Sequence, residues 1–174
     1  MKTRHCLVPL AAITVSLALA GCGNKEPAGS ATSTPSDSTS SATESASQVR
    51  VLNLTGSDQM KYDKTELEAS PGETVRVVLY NPGSLPKAAM AHNFILLKHG
   101  VDPAEFDRAA AAAMQSDYFP KDRADDVIAH TRLAGPKEKV EVTFVAPTEP
   151  GEYVYLCTFP GHYQQGMHGV LVIK

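Results

Sequence analysis

A period of two recurs along the second half of this 174-residue chain, and it dictates strands rather than helices. "ETVRVVLYN" (73–81) sets Val75, Val77 and Leu79 against Arg76 and Tyr80, directly after the turn pair Pro71-Gly72. "KVEVTFVA" (139–146) repeats the device, with Val140, Val142 and Phe144 on one face and Glu141 and Thr143 on the other. "RVLNL" (50–54), "EYVYLC" (152–157) and "GVLVIK" (169–174) add short strand-like runs, and "NFILL" (93–97) is continuously apolar, as a strand buried on both faces is. Proline and glycine punctuate most gaps. Many short strands with turn signals predict an all-β sandwich or barrel.

One stretch breaks the pattern. "DPAEFDRAAAAAMQ" (102–115) opens with an N-cap aspartate, proline at the first helical position and an acidic residue at the third, then runs into five alanines. This predicts a single helix of about twelve residues inserted between strands. No internal repeat is visible.

The N-terminal part follows other rules. "MKTRHCLVPLAAITVSLALAGC" begins with Lys2 and Arg4, continues as an apolar run to about Ala20 and ends in small residues, the composition of a bacterial export signal. The run is too short and too early for a spanning helix. Leu19-Ala20-Gly21-Cys22 resembles the lipobox of bacterial lipoproteins, which implies cleavage before Cys22 and its lipidation; an ordinary signal peptide is the alternative. In that family, Gly23 rather than Asp after the cysteine goes with outer-membrane sorting. Residues 23–48 are rich in Ser, Thr and Ala, with no aromatic and no aliphatic residue larger than Ala. They cannot bury enough apolar surface to offset chain entropy, so they read as a flexible tether of roughly 25–30 Å reach. The expected organisation is therefore a signal over 1–22, a tether over 23–48 and one domain over 49–174.

Loss of Lys2 and Arg4 with the signal leaves 14 basic against 19 acidic residues, a net charge of about −5. No basic block is present, so nucleic acid is not an expected partner. Cys6 departs with the signal and Cys22 becomes the anchor, so only Cys157 remains in the domain. A lone thiol in an exported protein needs burial, a metal or a partner chain.

"CTFPGHYQQGM" supplies a reason for it. Cys157, His162 and Met167 lie on one loop between two predicted strands, and such a loop can turn its donors toward a common centre. A thiolate, an imidazole and a thioether suit copper better than Mg or Ca, and zinc more usually takes four strong donors without Met. A further histidine must come from elsewhere. Taken singly, each residue has another reading: Cys157 and Met167 as core packing, His92 as a strand-end histidine. His168 is a competing donor that strand alternation points away, and His99 and His130 read as surface or loop residues.

"CTFPGH" with "LPKAAMAHNFILL", "VIAHTRLAG" (127–135) and "YDKTELEASPGETVRVVLYNPGSLP" (62–86) resembles the azurins, small blue copper proteins of the cupredoxin superfamily, over nearly the whole domain. The resemblance implies a cupredoxin Greek-key sandwich with one short inserted helix. It also implies one type 1 copper held by His92, Cys157 and His162, with Met167 axial and the Ala91 carbonyl weakly opposite. It makes Asn93 and Thr158 a brace for the ligand loop, and Leu85, Ala89, Met90 and Phe159 an apolar docking patch from which electrons leave through His162. The chain departs from azurin in three ways. Four residues rather than three separate His162 from Met167, as in plastocyanin and the membrane-tethered auracyanins; Ala91 replaces the usual glycine; and azurin's distant disulfide lacks its cysteines.

The expected function is that of a monomeric, lipid-anchored electron carrier in the bacterial cell envelope, facing the periplasm and not itself an enzyme. It would serve redox proteins such as a cytochrome or an oxidoreductase. A copper carrier or storage protein is the alternative, although Met-rich or paired-Cys sites are absent. A copper enzyme would need further histidines for a second cluster. A binding module without metal is the last possibility.

Overall fold

The computed structural model describes residues 49–174; Cys22 and the 23–48 segment lie outside the described residues. Nine strands form two sheets. They are β1 (Arg50–Ser57), β2 (Lys61–Tyr62), β3 (Glu66–Ala69), β4 (Thr74–Tyr80), β5 (Ile95–Leu97), β6 (Val127–His130), β7 (Lys139–Val145), β8 (Gly151–Leu156) and β9 (His168–Ile173). One sheet has the order β2-β1-β4-β7 and the other β3-β9-β8-β5-β6. The all-β two-sheet architecture is the one that the alternation predicts.

The period of two explains the layers. Along β4, Val75, Val77 and Leu79 are fully buried while the residues between them are only partly so. They meet Leu54 and Val140 from their own sheet and Leu67, Tyr155, Leu171 and Ile173 from the other in one core. Burying each aliphatic side chain contributes roughly 1.5–3 kcal/mol. The mixed pairing in which β1 runs parallel to β4 and β3 parallel to β9 closes the sheets around that core.

The apolar run of β5 has a separate cause. Leu96 faces the main core, whereas Ile95 and Leu97 face Phe106 and Leu156 in a second cluster. Phe106 belongs to α1 (Pro103–Ala111), so the helix covers the outer face of β5 and both faces are dry. Asp102 caps α1, its side chain accepting from the amides of Ala104 (2.8 Å) and Glu105 (3.1 Å).

One expectation needs correction. The helix has nine residues, not about twelve. Helix propensity alone would extend it through all five alanines, but a short 3₁₀ turn (Met114–Ser116) and left-handed Asp117 and Tyr118 (φ 53° and 59°) take the chain away. Alternation does not mark strands β2, β3 and β6, because each is only two to four residues long. His130 is the exposed last residue of β6, in keeping with a surface histidine.

Candidate metal centre

Two distant segments bring their donors together, the stretch around His92 and the loop from Cys157 to Met167. His92 follows the loop after β4 and is pinned to Ala134 by a two-way backbone bridge: its amide donates to Ala134 (3.1 Å) and its carbonyl accepts from Ala134 (2.7 Å). Cys157 directly follows β8 and Met167 directly precedes β9, so antiparallel pairing holds both ends of the loop; the Cys157 amide donates to the Met167 carbonyl at 3.0 Å. His162 lies between, its amide bonded to Phe159 O (3.0 Å) and its carbonyl to the Met167 amide (3.0 Å). The donor atoms of His92, Cys157 and His162 all lie within 4.8 Å of one another. The two Nδ1 atoms are 3.3 Å apart, and His162 Nδ1 is 3.5 Å from Cys157 Sγ.

Met167 is tied to this cluster through Gly56 of β1. A methyl at Gly56 would come within 2.8 Å of His92 Cγ and Cδ2 and of the Met167 terminal methyl. The glycine therefore allows the strand to press against the imidazole and the thioether together. Glycine within a strand is a sequence signal for close backbone approach, though the sequence does not say what approaches.

The backbone around the cluster is held by a second layer of bonds. Asn93 Nδ2 donates to Thr158 Oγ1 (2.8 Å), and the Thr158 amide donates to Asn93 Oδ1 (2.9 Å). Thr158 Oγ1 donates in turn to the carbonyl of left-handed Tyr118 (2.8 Å), and the Tyr62 hydroxyl donates to the Asn93 carbonyl. Residues following two of the donors are thus linked directly. Tyr62 and Tyr118 carry no sequence signal for these contacts, since each acts through geometry that only the fold creates.

Burial dominates the electrostatics. It pushes the Cys157 thiol up to about 12, against backbone hydrogen bonds from Asn93 and Phe159. It pushes His92 and His162 down to about 4, with a smaller opposing effect of Asp58 on His92 and a smaller reinforcing effect of His92 on His162. At neutral pH both rings are neutral, and His92 Nε2 is buried without a partner. The cluster is rich in lone pairs and poor in charge, the condition for receiving a cation. Two imidazole nitrogens, one sulfur and a thioether nearby fit copper better than a hard oxygen-seeking ion.

The remaining predicted residues are placed as follows. Ala91 is fully buried beside His92. Leu85 is 43% exposed, Ala89 is exposed and Met90 half-buried, whereas Phe159 is buried and stands edge-on to Tyr118 (5.4 Å) and against His162 (4.8 Å). An open groove of about 540 Å³ lined by Ala88, Met114, Tyr118, Leu133 and Phe159 adjoins them. His168 is exposed against the Tyr163 ring, His130 is exposed and stacks on Phe119, and His99 is exposed near Tyr153; none joins the cluster.

The profile of the copper-binding plastocyanin/azurin family matches residues 49–174. Auracyanin-A of Chloroflexus aurantiacus is 40% identical over 119 residues, covering 67% of this chain and 69% of that protein. Azurin-1 of Alcaligenes xylosoxydans xylosoxydans is 39% identical over 123 residues, covering 69% and 94%. Among solved structures, the dithionite-reduced auracyanin of Roseiflexus castenholzii superposes with a TM-score of 0.64 at 35% identity, covering 71% of this chain and 96% of that one.

Proposed function

The chain belongs to the plastocyanin/azurin family of copper-binding proteins, and from that premise we propose that it is a membrane-tethered carrier of single electrons in the cell envelope. The family is one of electron carriers with one type 1 copper. In our reading His92, Cys157 and His162 would hold that ion here, with the Met167 thioether as a weaker donor and the Ala91 carbonyl weaker still. The observation that carries the reading is that buried His92 converges with buried Cys157 and His162 of a distant loop, all three donors within 4.8 Å. Bound copper supplies a one-electron couple between Cu(I) and Cu(II).

The chain's own residues supply the rest. His92 is fixed by its bridge to Ala134, while Cys157 and Met167 are fixed by the β8–β9 pair, so the donors have little room to rearrange. Rigid donors suit an ion that must change charge without changing place. Cys157 and His92 are fully buried and His162 is 1% exposed. A reactant has almost no surface to approach, whereas an electron needs only proximity. This favours outer-sphere transfer over catalysis. Leu85, Ala89 and Met90, with buried Phe159 against the His162 ring, are the surface on which a redox protein such as a cytochrome or oxidoreductase would dock. Lipidated Cys22 and the 23–48 tether would keep the monomeric domain near a bacterial membrane, facing the periplasm.

The copper-loaded full chain tests the reading. Electron self-exchange between oxidised and reduced protein is expected to outpace loss of Cu(I) to a competing chelator by orders of magnitude. The reverse order would favour the carrier or storage alternative. Conversion of Cys22 to serine is expected to move the protein from the membrane fraction to the soluble fraction.

A further inference from the structure

The segment between His162 and Met167 carries four residues, Tyr163 to Gly166. Its internal bonds are local: the Gln165 amide donates to Gly161 O (3.1 Å) and the Gly166 amide to Tyr163 O (2.8 Å). Two further bonds reach it from elsewhere in the fold. Gln164 Nε2 donates to Asp107 Oδ2 on α1, and Lys61 Nζ of β2 donates to the Gln165 carbonyl.

Asp107 is unusual in its own right. It is only 3% exposed, and a buried carboxylate is costly unless it is hydrogen-bonded. Aspartate is also a poor residue for a helix interior, and Asp102 already serves as the cap of α1. Neither helix formation nor apolar packing accounts for an acid at this position. The adjacent Phe106 packs in a cluster with Leu156 and Tyr163, which directly precede Cys157 and follow His162. The helix thus meets the loop beside two of the three clustered donors, and Asp107 is the polar point of that contact.

We infer that Asp107 is a positioning residue: through Gln164 it fixes the His162–Met167 segment, and thereby the place of the Met167 side chain relative to Cys157 and His162. This deepens the copper reading and rests on it only for its effect on potential. Lys61 is the counterpart that holds the next residue from β2.

The test compares wild type, Asp107→Ala and Asp107→Asn as full-length chains. In the copper-free proteins, Asp107→Ala is expected to speed amide exchange at Gln165, Gly166 and Met167 about fivefold, the loss of one ordinary hydrogen bond, leaving Val77 and Leu79 unchanged. Asp107→Asn, which still accepts from Gln164, is expected to lie within about twofold of wild type. In the copper-loaded proteins the reduction potential is expected to shift in Asp107→Ala and to return toward wild type in Asp107→Asn. Unchanged exchange in Asp107→Ala would overturn the inference. So would an Asp107→Asn protein as perturbed as Asp107→Ala, because charge alone would then be responsible. If Asp107→Ala does not fold, Gln164→Ala removes the same bond from the loop side, with the same expected and contrary results. Faster exchange without a measurable copper couple would uphold the brace and reject the copper reading.

Discussion

Gly56 shows how a residue with no side chain can govern a cluster of donor side chains. Its α-carbon faces both His92 and Met167, and an added methyl would lie 2.8 Å from each. Gly56→Ala is therefore expected to displace the imidazole or the thioether and to cost about 1–3 kcal/mol, the usual penalty for overpacking. Chemical denaturation of the copper-free protein and the visible spectrum of the copper-loaded one would read the two effects. What was legible at this scale follows from chemistry. Cys157, His162 and Met167 announce themselves because a thiol, an imidazole and a thioether share one short loop. His92 needed the family resemblance, since a lone histidine before an apolar run says little. Tyr62, Tyr118 and Asp107 matter through atoms brought close by tertiary structure, which no local pattern marks; Gly56 in its strand signals a close approach but not what approaches it.

Among the elements, α1 and β5 are the informative pair. The continuous apolar run of β5 needs a cover for its outer face, and Phe106 of α1 provides it. Phe106→Ala is expected to destabilise the domain by about 3–5 kcal/mol, measured by denaturant unfolding, and to loosen Leu156 next to Cys157. A loss below about 1 kcal/mol would mean that the helix is an appendage. The helix start was readable from Asp102 and Pro103 because capping is local chemistry. Its end was not, since five alanines give no stop signal and the left-handed Asp117 and Tyr118 lie beyond them. The long strands β4 and β7 were plain in their alternation, but β2 has two residues, too few for any period to show. Its pairing with β1 depends on the fold, as does the contact of Lys61 with the ligand loop.

At the scale of the molecule, the buried donor cluster links stability to pH. Both His92 and His162 have folded values near 4, below their ordinary 6.5, so the unfolded chain binds more protons between those limits. Stability of the copper-free protein is therefore expected to be full above about pH 7 and to fall as the pH drops from 6.5 toward 4, with a slope approaching two protons. Cys157 acts in the opposite sense: its raised value makes the folded thiol keep a proton that the unfolded one loses, so stability also falls above about pH 9. Unfolding free energies measured across pH 4–10 would show a plateau with two shoulders; a flat profile would mean that these groups are not buried together. The central claim, that Cys157 and the two histidines bind copper as one unit, is tested most directly by the visible absorption spectrum after addition of Cu(II). The wild-type chain is expected to turn intensely blue through thiolate-to-copper charge transfer, and Cys157→Ser to remain nearly colourless; a Cys157→Ser protein that kept the colour would contradict the account.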